Sequence, residues 1–392
     1  PKKRWDIPFD APLFHWYTDA DRERQLRHYM REQYGVGAVE LRRAIRAGDR
    51  AQREFRGILR AEGARVRALV REQGGYAVVL AARPYQGDPL VNHALPELFT
   101  GMGIPVLTAD SLGAEAETEL CRSRIDIVNN YHARMLSSAM LAARSEELEY
   151  VQTVSFGCGH DAYLSDEIVR VMREISGKTP LILKLDESDA QGPLRIRVRS
   201  FVETVRMKRE RGAAKRPVRA LSDPYALKFT EKDAEARVVL VPNTSHAFSR
   251  VMAAAMSTQG LCAVPMELGR EEAIRLGKRY VHNDICFPAQ IVIGEALSAL
   301  HSGRYNPKRT AIAMGKYLGD CRLTHYSALL RKALDDAGFS EVAILTNDTE
   351  DMHHIHPGFR MNLKTSAIIA FALPMIDALA ELLHKIRPSE RY

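Results

Sequence analysis

The sequence predicts an α/β protein built of two doubly wound, Rossmann-like parallel-sheet domains preceded by a helical N-terminal arm. Three observations carry this. From residue 75 onward short runs rich in Val, Ile and Leu alternate with amphipathic stretches, the pattern of parallel strands joined by crossover helices. The alternation stops at 209–236 and then restarts. Ahead of it, residues 19–73 carry a helical period and no strand signal.

The arm is expected over 1–74. Leu41, Ile45, Phe55, Leu59, Val66 and Val70 recur at helical spacing among Arg and Glu, with Gly35 and Gly74–Gly75 as breaks. The first α/β domain, 75–208, takes strands at 76–81, 104–108, 150–156 and 181–185, with helices near 90–102, 121–144, 163–176 and 192–208. The segment 209–236, rich in charge, Pro and Ala and without an apolar period, reads as a linker. The second domain, 237–392, takes strands at 237–241, 261–266, 310–314 and 342–346, and helices near 246–258, 270–279, 287–301, 323–337 and 363–386. No residue-level repeat relates the two domains.

With 392 residues, 46% hydrophobic and 27% charged, the chain has the composition of a folded globular protein. A net charge of +7 gives a mild attraction to anions. With no zinc finger, RNA-reading aromatic signature or basic heptad region, no nucleic-acid partner is expected. Five unevenly spaced cysteines argue for a reducing compartment, and the cytoplasm is the expected location. Ala367 to Leu383 is interrupted by Pro374, Asp377 and Glu381 and falls short of the ~20 apolar residues of a span; a buried terminal helix and no membrane partner are expected. The opening PKKRW has no methionine, so a piece or processed subunit of something larger is expected.

Cys158 follows a predicted strand, Cys286 precedes a predicted helix, and Cys321 lies between a strand and a helix. Each falls where strands deliver the chain to helix starts, the edge at which open α/β sheets bind ligands. They stand 128 and 35 positions apart, unlike the close spacing of ferredoxins or zinc ribbons. Gly157 and Gly159 flank Cys158, Pro288 follows Cys286, and Gly319 and Arg322 bracket Cys321. Glycine permits close backbone approach, and helix-start N–H groups and arginine favour thiolates. Three such ligands suit a four-iron cubane with one open iron; the bland reading is three buried, inert thiols.

The segments ARPYQGDPLVNHALPELF (82–99), VSFGCGHDAYLSDEI (154–168), LKLDESDAQGPLRIRVRSF (183–201), RYVHNDICFPAQIVIGEALSALHSGRY (279–305) and GDCRLTHYSALLRKALDDAGF (319–339) resemble the C-terminal half of the 2-hydroxyacyl-CoA dehydratase activase-related proteins, relatives of the dehydratase subunits and of the double-cubane cluster reductases. The resemblance runs from about residue 35 to about residue 365. It implies that Cys158, Cys286 and Cys321 match the recurrent cysteines of the SFGCG, ND-x-CYPA and GG-x-CR motifs and bind an iron–sulfur cluster, [4Fe-4S] or half of a double cubane. It further implies an activator-type ATPase with its own cluster as electron donor, an upstream half or second subunit, and an acyl-CoA or another small molecule as substrate. The expected function is therefore the cluster-binding component of an ATP-dependent low-potential reductase or dehydratase system. The competing expectation is a metal-free α/β scaffold that docks an ATPase.

Asn283 and Arg322 are expected in the second shell of the cluster, and Arg83, Tyr85, Asn92 and His93 along the cleft. Gln86 stands where the family has histidine, Phe287 where it has tyrosine, and Asp320 where it has glycine. Ser176-Gly177-Lys178-Thr179 imitates the end of a phosphate loop, but Met172 occupies the place of its first glycine, and a helix stop is expected. His353, His354 and His356, with Asp348 and Asp351, read as a solvated loop; Cys121 reads as structural, and Cys262 as structural within a buried strand.

Overall fold

The computed structural model of the chain describes residues 10–113, 118, 120–127, 129–155, 158–185, 191–212, 217–316, 321–346, 356–359 and 361–390. The chain divides into two units, residues 1–69 with 110–112 and residues 70–109 with 113–392. In the first, α1 (Asp19–Tyr34) begins where the Thr18 hydroxyl accepts the Asp21 N–H, and stops at Gly35, whose φ of 66° is a glycine conformation. α2 (Ala38–Glu72) follows, and its Asp49 takes both guanidinium nitrogens of Arg22 at 3.0 Å, which ties the two helices together.

The second unit contains two all-parallel sheets of four strands. β1 (Ala77–Ala81), β2 (Val106–Thr108), β3 (Leu148–Ser155) and β4 (Leu181–Leu185) lie in the order β2-β1-β3-β4. Val79 on the central β1 stands opposite both Leu107 and Tyr150. Every residue of β1 is buried, as a strand covered on both faces must be, and Val78, Leu80, Phe99, Val151 and Leu183 share one core. β5 (Val238–Val241), β6 (Cys262–Pro265), β7 (Thr310–Ala313) and β8 (Ala343–Leu345) repeat the arrangement as β6-β5-β7-β8. Both sheets thus change winding direction beside their first strand, between β1 and β3 and between β5 and β7. All eight predicted strands are present, and the fold class is the one the sequence predicts.

The helices depart from the sequence reading in places with local causes. One helix is expected over 90–102, but α3 (Pro89–Asn92) and α4 (Leu95–Thr100) are separated by His93 and Ala94, at φ of 53° and 54°. α5 (Asn130–Arg144) starts at the Asn129 cap, whose side chain accepts the His132 N–H, and not at 121. Downstream come α6 (Gly159–Ser176), α7 (Gln191–Glu210), α8 (Glu231–Ala236), α9 (His246–Ser257), α10 (Glu271–Tyr280), α11 (Phe287–His301), α12 (Tyr326–Asp336) and α13 (Leu363–Ile386). Within 217–236, Leu221 and Phe229 are buried, and Phe229 joins the core of the second sheet. α10 and α11 pack at backbone contact: a Cβ on Gly277 would lie 1.8 Å from the Gln290 carbonyl oxygen, and one on Gly294 1.7 Å from that of Ala273.

Three expectations about burial are overturned. The terminal helix is not buried: Leu363–Ser389 is long and apolar enough to cross a membrane by length and composition, with a mean hydropathy of 1.8, and its most apolar window is 0% buried. It follows the last strand, and among the described residues it leans mainly on α9, with Thr365 its one buried residue. Cys262 is exposed because β6 is an edge strand. His356 is buried, with Nδ1 facing the Phe229 N–H, whereas His353, His354, Asp348 and Asp351 lie outside the described residues.

Candidate functional site

β1 and β3 are neighbours at the switch point of the first sheet, and the loops leaving their carboxyl ends carry Arg83 and Cys158. Cys158 is the N-cap of α6. Arg83 donates through Nη2 to its Sγ at 2.9 Å, and through Nη2 and Nε to Asp161 Oδ1 at 2.8 and 3.0 Å. Asp161, in the first turn of α6 and 1% exposed, accepts the Ser155 N–H on its other oxygen at 2.9 Å. The guanidinium also lies over the Tyr131 ring, 5.1 Å from its centre. Burial opposes the charge on Arg83, but Asp161, Cys158 and Tyr131 together outweigh it and the pKa is raised.

Gln86, at the family's histidine position, sets the turn that aims Arg83: its Oε1 accepts the Arg83 N–H at 2.9 Å and the Thr153 hydroxyl at 3.2 Å. The Tyr85 hydroxyl bonds Ser155 Oγ at the carboxyl end of β3, while Arg83 reaches Cys158 itself. Asn92 and His93 shape their own loop instead, Asn92 donating to the Gly87 carbonyl and His93 adopting a positive φ.

The second domain supplies the other thiols. Cys286 is the N-cap of α11, and its Sγ is 2.9 Å from the Tyr326 hydroxyl. Burial, then the charge of Cys286, raises the pKa of Tyr163; burial, then the Cys286 hydrogen bond, does the same for Tyr326, so both phenols stay protonated beside the sulfur. Cys321 is exposed and caps the 3-10 turn Arg322–His325; its charge acts on the same Tyr326. Arg322 crosses directly over Gly159, where an added Cβ would lie 2.2 Å from its Nη1. Lys184, in β4, pairs with Asp284, two residues before Cys286. A cavity of about 140 Å³ is lined by Cys158, Asp161, Asp166, Lys184, His282 and Asp284. Larger cavities of about 540 Å³ beside Lys178 and 1080 Å³ beside Glu295 have no cysteine in their walls.

The carboxyl edges of the two sheets therefore face each other, and Cys158, Cys286 and Cys321 share one neighbourhood through Arg322, Tyr163 and Tyr326. Asn283 is exposed, and its neighbour Asp284 makes the tie. Gly157, Gly319 and Asp320 lie outside the described residues. Cys121 is exposed and lines a separate cavity, among Arg122, Arg124, Lys228 and Lys316. Lys178 of the SGKT run is spent on the Ala142, Ser145 and Leu148 carbonyls, consistent with a helix stop.

Behind the thiols the imidazoles of His132, His160 and His325 line up with ring centres 6.0 and 6.2 Å apart. Burial, helped by the neighbouring imidazoles, lowers His132 to about 3 and His325 to about 4, so both are neutral at pH 7. Sequence reading missed Asp161, Tyr163 and Tyr326. The signal for the first two is their place three and five residues after Cys158, in the first turns of the helix it caps.

Thiols at three helix starts, with two guanidinium groups and phenol donors around them, have the donor chemistry of a thiolate-ligated cluster. Here Cys158 and Cys286 are hydrogen-bonded to protein groups, and among the described residues no group of three or more His, Cys, Asp or Glu is arranged to hold a metal ion. The fit is thus one of donor type and neighbourhood.

A family model described as "CoA enzyme activase uncharacterised domain" matches residues 3–112, consistent with a 2-hydroxyacyl-CoA dehydratase activase-related protein. The matched stretch includes Arg83 and Tyr85 and ends before Cys158. No curated protein and no solved structure matches the chain.

Proposed function

We propose that this chain is the cluster-carrying, electron-accepting component of an ATP-dependent low-potential reductase or dehydratase system, with Cys158, Cys286 and Cys321 as ligands of an iron–sulfur cluster. The observation that supports this most is the convergence of three helix-start thiols from two sheets on Arg322, Tyr163 and Tyr326. A cluster bound there would supply low-potential electrons to a substrate. The chain's own groups do the rest. Arg83 and Arg322 offset the negative charge of thiolates, Asp161 fixes Arg83, and the Tyr326 hydroxyl is placed to donate to the Cys286 sulfur. Neutral His132 and His325 add no charge behind the site. ATP would act in a separate activator ATPase, the electron donor of the system.

The test is anaerobic reconstitution with iron and sulfide, followed by metal analysis and visible absorption. Wild-type chain, Cys121→Ser and Cys262→Ser should hold iron and turn brown, while Cys158→Ser, Cys286→Ser and Cys321→Ser should each lose most of it. A colourless wild type with all thiols titratable would assign the chain to a metal-free docking module; equal iron in all five variants would remove the ligand assignment.

A further inference from the structure

The second half of α13 presents an apolar stripe with nothing in the described residues over it. Met375, Leu379, Leu382 and Ile386 are 63, 62, 52 and 47% exposed and recur at intervals of four, three and four, so they form one line along the helix. Phe371 and Leu383, also exposed, widen it. At a helix's 100° per residue, Asp377, Glu381 and His384 all fall on the far side, so a partner laid along the stripe buries no charge. Glu381 is paired with Lys385 at the edge of that far side, so the polar side is mixed in charge and lacks the row of Lys and Arg with which an interfacial helix embeds in an anionic lipid surface.

The interval pattern reads the same in both directions. A two-fold axis between Ala380 and Glu381 brings a second, antiparallel copy of the helix into a register in which Met375 meets Ile386 and Leu379 meets Leu382, each contact made twice. Six side chains at roughly 80 Å² each bury ~500 Å² per chain and ~1,000 Å² in all, the size at which specific interfaces begin. We infer that α13 is a dimerisation helix and that its occupant is α13 of a second copy of this chain. The inference rests on α13 alone and is independent of the cluster reading.

Sedimentation velocity of the whole 392-residue chain at micromolar concentration tests it. The expected result is a dimer that Leu379→Glu and Leu382→Glu each weaken at least ~30-fold, the scale of a hot-spot loss. Asp377→Asn, on the far side, should leave it intact. Circular dichroism of the variants should match wild type, since Leu379 and Leu382 are exposed among the described residues. A wild-type monomer, or a dimer that survives both glutamates, overturns the inference. So does a monomer that floats with phosphatidylglycerol vesicles, which would make lipid the occupant.

Discussion

Asp161→Asn is the sharpest probe of the thiol neighbourhood. The carboxylate is 2% exposed at its side chain, receives two guanidinium contacts from Arg83 at 2.8 and 3.0 Å, and takes the Ser155 N–H on its other oxygen. Asparagine can still accept from Ser155, but it then turns its NH2 group toward the guanidinium, donor against donor. Arg83, 17% exposed, is left as a nearly buried cation. Breaking such a pair costs about 3–5 kcal/mol, and the residual exposure of Arg83 places the expectation near ~3 kcal/mol. Urea unfolding followed by circular dichroism should show the midpoint fall with the slope unchanged. Because most of the loss is the stranded cation, adding Arg83→Met should return part of it, with a coupling of about 1–3 kcal/mol between the two changes. A cost below ~1 kcal/mol, or additivity within ~0.5 kcal/mol, would show that Arg83 and Asp161 do not act as a buried pair.

Two further outcomes are expected. Gly277→Ala and Gly294→Ala each drive a Cβ into a backbone oxygen between α10 and α11 and should destabilise by about 3 kcal/mol, the upper end of overpacking, read as a urea midpoint shift; a loss under ~1 kcal/mol would mean that the helices part freely. His132 and His325 have folded pKa values of about 3 and 4 against 6.5 unfolded, so the unfolded chain binds more protons below pH 6.5 and stability falls with acid: each group should cost about 2 kcal/mol at pH 5, His132→Gln should remove about half of that slope, and a slope unchanged by it would place the proton uptake elsewhere.

The sheets were legible in the sequence because β1, β3, β5 and β7 are central and buried on both faces, which demands short unbroken runs such as Ala77–Ala81 and Val238–Val241. The three cysteines were legible as helix-start residues, and each is an N-cap: Cys158 of α6, Cys286 of α11 and Cys321 of the turn Arg322–His325. What sequence cannot carry is the partner of a side chain distant along the chain. Nothing in the local pattern says that Tyr326 will meet Cys286 or, across the domain boundary, that Arg322 will need the bare backbone of Gly159. The same limit explains α13: its hydrophobicity does not say what covers it, and among the described residues its main partner is α9. The break at His93 and Ala94 was hidden for a different reason, since neither residue type announces a left-handed conformation as glycine does.

The ties that build the thiol neighbourhood are also those that join the two sheets. Lys184 reaches Asp284, Lys316 reaches Asp126 at 3.0 Å, and Arg322 lies in the gap left by Gly159. A molecule held there binds only when both sheets are folded and face to face, so its binding free energy is shared by both. At a hundredfold excess over its dissociation constant it would add about 2.7 kcal/mol to that shared state. Filled, the two halves should melt in one step; empty, they are free to melt in two. A molecule bound there would act as a latch between domains, and its affinity would set how tightly the latch is closed.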